Sequence, residues 1–147
     1  MTRISFYVLT RQSTDERFIA ACRIAEKAYQ QGHGVYLHTE SPIAAERVDQ
    51  LLWTFRQGSF VPHVRHEHDD QTSPVVIGHD SRPQPRVHDV MINLTREVPL
   101  FFGQFERLVE LVADDDQDRQ SGRERFRFYR DRGYALETLN LPPQKRA

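Results

Sequence analysis

Three histidines and two aspartates fall within eight positions of one another in the stretch FVPHVRHEHDD, residues 60–70. Imidazole nitrogens and carboxylate oxygens are metal donors, so metal binding is the first chemistry to weigh. If the segment is a strand, His66 and His68 point to one side of it, and His63 with Asp69 or Asp70 completes a mixed nitrogen and oxygen set. The spacing matches no recognised zinc knuckle, and zinc sites usually draw their ligands from more than one element. A solvated loop between two strand-forming segments accounts for the same residues. The choice is between a small metal-dependent enzyme using His63, His66 and His68, and a chain without a metal whose function lies elsewhere.

Other catalytic groupings are scarce. The single cysteine, Cys22, lies in an amphipathic pattern, where a buried thiol acts as a small hydrophobe, and one cysteine allows no disulfide framework. There is no G-x-S-x-G elbow and no carboxylate pair set in an apolar run. The turn after the first apolar run, TRQSTDE, has no glycine, and it puts Asp15 and Glu16 where a phosphate would meet a helix dipole. No phosphate-binding G-x-x-x-x-G-K-[ST] occurs, and GHG at 32–34 precedes a strand instead of following one. No cofactor and no bound metal are expected.

The elements that must position any site alternate. RISFYVL (3–9) reads as a buried strand, and Ser13 with Glu16 makes a capping box for a helix carrying Phe18, Cys22, Ala25 and Tyr29 up to Gly32. GVYLHT is a second strand; Ser41 and Pro42 open a helix lined by Val48, Leu51, Leu52 and Phe55. PVVIG and DVMINL supply two more strands, joined by the polar HDSRPQPRVH, which is too short and irregular for a crossover helix. Phe101, Phe105, Leu108, Val109 and Val112 recur at helical spacing and predict a helix over 98–112, followed by a last helix stopped by Gly133. This alternation predicts an α/β fold with three layers, a mainly parallel sheet flanked by helices, Rossmann-like without a nucleotide site. A chain of 147 residues, 38% hydrophobic, supports one core, expected as a single domain over 1–141 with a flexible tail at 142–147. No run is long enough to span a bilayer, and MTRISFYVL is too short and strand-like for a secretory signal, so a cytoplasmic protein without membrane contact is expected.

The net charge of −1 conceals a segregation. DDDQD at 114–118 holds four acids and no base, whereas residues 119–132 hold six arginines against two acids, a local +4.

Four segments, ISFYVL, LLWTFRQGSFVPH, DVMINL and GRERFRFYRDRGYAL, together resemble the chi subunits of bacterial DNA polymerase III, in order over essentially the whole chain. The resemblance implies a non-catalytic accessory subunit of the DNA replication machinery, associated with the clamp loader through the psi subunit. It also implies binding of the acidic C-terminal tail of single-stranded DNA-binding protein, with contact to single-stranded DNA mainly indirect and a repair helicase as a further candidate partner. Carried over by motif, the tail site comprises Arg119, Arg123, Phe126 and Arg127, with Arg130 one turn on and Val112 closing the pocket from the preceding helix. Arg119, Arg123 and Arg127 recur every four residues and so share a helical stripe. An acidic peptide ending in phenylalanine needs such cationic forks beside an apolar pocket. For psi the resemblance points to Trp53 and Phe60, and it places HEHDD in a variable loop.

Overall fold

The computed structural model describes residues 1–10, 14–79 and 87–141. In chain order the elements are β1 (Arg3–Leu9), α1 (Thr14–Gln30), β2 (Val35–Thr39), α2 (Pro42–Thr54), β3 (His63–Arg65), β4 (Val75–His79), β5 (Val90–Asn93), β6 (Arg107–Val112), α3 (Asp116–Asp131) and β7 (Leu136–Leu141). Short 3₁₀ turns cover His66–His68 and Phe102–Gln104.

The strands form one sheet of order β3-β4-β2-β5-β6-β1-β7, and every pairing in it is parallel. Alternation along each strand sorts side chains into two layers. Val35 and Leu37 of β2, Val75 and Ile77 of β4, and Val109 and Leu111 of β6 pack with Cys22, Ala25, Val48 and Leu52 of α1 and α2. Residues alternating with them, Tyr36, Val76 and Leu108, join Phe6, Val112, Phe102 and Tyr129 in the layer under α3. A parallel sheet with helices on both faces, its central strands buried between them, is the three-layer α/β arrangement that the alternation predicts.

Helix ends follow local chemistry. Ser41 caps α2, its hydroxyl accepting the Ala44 N–H at 3.1 Å with Pro42 next in line. At the end of α1, Gly32 takes φ +86°, and the His33 N–H returns to the Ala28 carbonyl at 3.0 Å. Gly133 ends α3 in the same manner, with φ +81° and the Tyr134 N–H on the Tyr129 carbonyl. Ser13 of the expected capping box, residues 80–86 of the polar connection and the tail at 142–147 lie outside the described residues.

The helix expected over 98–112 is instead an irregular segment with one 3₁₀ turn followed by strand β6, between β5 and β1. Spacing misleads there because Leu108–Val112 has no solvent face at all. Residues 108 and 112 bury in one layer and 109 and 111 in the other, so a run that fits a helical stripe also fits a strand covered on both sides. Strands β3 and β7 also go beyond the four that the sequence predicts.

Candidate functional site

Helix α3 is anchored by acids and a glycine. Asp115 is its N-cap, accepting the Asp118 N–H at 2.8 Å. Asp118 is buried; it accepts the Ala113 N–H at 2.5 Å, and its other oxygen lies 3.2 Å from Arg17 Nη1. Two acids of DDDQD therefore serve the local fold. A Cβ on Gly122 would stand 2.8 Å from Val112 Cγ2, so only glycine lets α3 seat this closely on β6.

Beneath the helix lies a buried polar cluster. Glu110 of β6 faces α3, its Oε1 3.0 Å from Arg125 Nε and its Oε2 accepting the Tyr129 hydroxyl at 2.6 Å. Asn93 Nδ2 donates to both carboxylate oxygens at 3.1 Å. Arg125 is only 2% exposed, and its Nη1 reaches the Arg96 carbonyl at 3.2 Å and the Ser121 hydroxyl. Burial pushes the Glu110 carboxyl up while Arg125 pulls it back, and burial followed by the Glu110 charge raises Tyr129 well above the ordinary phenol value. This cluster fixes which side of α3 faces inward. Sequence reasoning missed it: Arg125 reads as one more surface arginine, and the available signal was a lone acid inside the apolar run LVELV.

The outward side carries the stripe. Arg123 and Arg127 are exposed, and among the described residues neither has a side-chain hydrogen bond or ion pair. Arg119 is engaged: Nη1 pairs with Asp114, and Nη2 lies 2.9 Å from Asp116. Arg130 Nη2 is 3.3 Å from Asp131. Phe126 is half-buried at the border of the stripe, edge-on to Phe6 of β1 with centroids 5.3 Å apart. Val112 does not come from a preceding helix; it is a β6 residue, 6% exposed, with its methyls beneath Gly122. It supports the helix from below and so belongs to the floor under the stripe.

A second surface lies at the end of α2. Trp53 is 56% exposed and Phe60 64%, their ring centroids 5.9 Å apart. The loop between them is held down at several points. Gly58 turns with φ +80°, Ser59 hydrogen-bonds Glu26 of α1, Arg56 pairs with Glu26 at 2.7 Å, and Val61 is buried. The His63 ring lies against Trp53, tilted by 56° with centroids 4.6 Å apart; its Nδ1 donates to the Val61 carbonyl at 2.7 Å, and Nε2 stands 3.2 Å from Asp49. Phe60 is thereby presented outward beside the indole.

The histidines do not converge. His66 and His68 sit in a 3₁₀ turn and not on a strand, which removes the shared side that a ligand pair requires. Among the described residues no group of three or more His, Cys, Asp or Glu side chains could hold a metal ion. The aspartates shape the loop: Asp69 accepts the Gln71 N–H, and Asp70 accepts those of Thr72 and Ser73. Burial pushes the Cys22 thiol up to about 12, which suppresses the thiolate. Asp15, in the first turn of α1, pairs with Arg47 at 3.0 Å. No helix among the described residues is long and apolar enough to cross a membrane.

The family model described as DNA polymerase III chi subunit, HolC, matches residues 1–137. The chain belongs to the DNA polymerase III chi subunit family. It is 42% identical over 142 residues to the DNA polymerase III subunit chi of Pseudomonas aeruginosa, covering 97% of this chain and 99% of that protein. The chi subunit of Haemophilus influenzae is 31% identical, with 92% of this chain and 95% of the relative covered. That of Escherichia coli is 30% identical, with 94% and 97% covered. Among solved structures, T4 UvsW superposes with a TM-score of 0.69 at 10% identity over 96% of this chain and 42% of that one. Domain 2 of the Mss116p DEAD-box helicase, bound to an RNA duplex, superposes at 0.60 and 9% identity, covering 96% of this chain and 64% of that one. This chi-family chain thus shares its fold with parts of larger proteins at identities that carry no functional argument.

Proposed function

We propose that this chi-family chain is a non-catalytic accessory subunit that links DNA polymerase III to coated lagging-strand DNA by two separate contacts. On α3, Arg123, Arg127 and Phe126 hold the acidic C-terminal tail of single-stranded DNA-binding protein. At Trp53 and Phe60 the chain meets psi, and through psi the clamp loader. A repair helicase is a further candidate partner, and single-stranded DNA is reached mainly through its binding protein.

One observation carries the tail reading: Arg123 and Arg127 stand exposed and without a described acidic partner beside a half-buried aromatic, whereas Arg119, Arg125 and Arg130 are paired with acids of the chain itself. Planar guanidinium forks next to an apolar edge suit a terminal carboxylate and a phenylalanine ring. Isothermal titration with an acidic peptide ending in phenylalanine tests the reading. Arg123→Ala is expected to cost about 2 kcal/mol or more of binding, because a charge-assisted fork is lost and the ligand carboxylate is left less compensated. Wild-type affinity in a folded Arg123→Ala variant, or no effect of deleting the peptide's last phenylalanine, would overturn it.

A further inference from the structure

We propose that Asp114 and Asp116 are specificity-determining residues of the α3 site: they hold Arg119 in the free protein, so selection falls on whatever meets Arg123, Phe126 and Arg127. The inference rests on the tail-site reading above. Asp114 takes Arg119 Nη1 and Asp116 takes Nη2 at 2.9 Å, so both arms of the guanidinium fork are occupied. All three side chains are at the surface, where the exchange of partners is open to a ligand. The two other acids of the run are committed elsewhere, Asp115 to the helix cap and Asp118 to the Ala113 amide and Arg17. Within this acidic run, Asp114 and Asp116 are the two that pair with the stripe, and they do so at its N-terminal end.

The consequence is a graded site. An acid of a ligand that reaches Arg119 must displace a carboxylate already there and approach two like charges, so one surface ion pair is exchanged for another with little net gain. Arg123 and Arg127, one and two turns further along, have no such competitor among the described residues. A peptide is therefore distinguished by its terminal carboxylate and ring and only weakly by acids upstream.

The test uses two peptides that both end in phenylalanine with a free carboxylate, one with acids upstream and one with the matching amides. Titration at low salt compares wild type, Asp114→Asn/Asp116→Asn, Arg119→Ala and the triple variant. The preference for the acid-bearing peptide is expected to rise about fivefold in the double variant, to return to the wild-type level in the triple variant, and to fade at high salt. Equal preferences in wild type and double variant would overturn the inference while leaving the α3 site in place. The same rise without Arg119 would also overturn it, since the effect would then be general charge and not the hold on one arginine. Failure of wild type to bind either peptide would remove the tail-site reading and this inference together. Asparagine preserves side-chain size, Asp115 and Asp118 remain to anchor α3, and thermal unfolding of each variant verifies the fold.

Discussion

Arginines that look alike in the sequence have three different tasks on one helix. Arg123 and Arg127 are free of described partners, Arg119 is held by surface acids, and Arg125 is buried against Glu110. Replacing Arg125 with methionine leaves the Glu110 carboxylate with Tyr129 and Asn93 but no compensating charge. The expected loss of folding stability is about 3–5 kcal/mol by urea unfolding, and Glu110→Gln/Arg125→Met should lose clearly less than the sum of the two single changes. A second residue-scale prediction concerns pH. The Thr72 amide, then that of Ser73, holds the Asp70 carboxyl down from 3.8 to about 2. A depressed folded value means the contribution is complete above the unfolded value and is lost as pH falls through the folded one. The stability advantage of wild type over Asp70→Asn should be constant above about pH 4 and shrink towards pH 2, as followed by thermal unfolding. A difference that grows on acidification would contradict this assignment. At this scale the sequence made the exposed stripe legible, because one helix encodes it by spacing alone. The Glu110 cluster was not legible, because it joins β5, β6 and α3 through contacts that spacing does not encode.

Helix α3 works as an element because of what lies under it. Gly122 costs helical propensity, about 1 kcal/mol relative to alanine, and is tolerated because the Val112 methyls occupy the space a Cβ would need. Gly122→Ala should destabilise the protein by about 1–3 kcal/mol in spite of its better propensity, since either α3 or β6 must move. Val112→Ala in the same chain should restore part of the loss. Net stabilisation by Gly122→Ala alone would show that the helix has room to lift. The element that supplies Val112 is the one the sequence misassigned. A strand covered on both faces offers neither alternation nor solvent-facing polar residues, and five apolar residues between 101 and 112 fall into helical register by coincidence. Caps were legible wherever one side chain or one glycine sets the backbone, as at Ser41, Gly32 and Gly133.

Across the whole molecule the sheet order separates the two surfaces. Trp53 and Phe60 lie where α2 runs into edge strand β3, whereas α3 sits on β6 and β1, across the sheet and on its other face. From β3 to β6 there are four inter-strand steps, on the order of 19 Å, with a close-packed sheet between the faces. Neither surface shares a residue with the other, and charge at the stripe is screened over such a distance at physiological salt. The two proposed contacts should therefore be energetically independent, as the proposed bridging role requires. Phe60→Ala is expected to weaken association with psi by more than about 1 kcal/mol, the cost of truncating an aromatic anchor, and to leave tail-peptide affinity unchanged. Arg123→Ala should give the reverse, and saturation with psi should alter tail-peptide affinity by less than about twofold. Titrations of free and psi-bound protein with the same peptide decide the matter: loss of both activities in a folded Phe60→Ala variant would mean that the surfaces are coupled through the sheet.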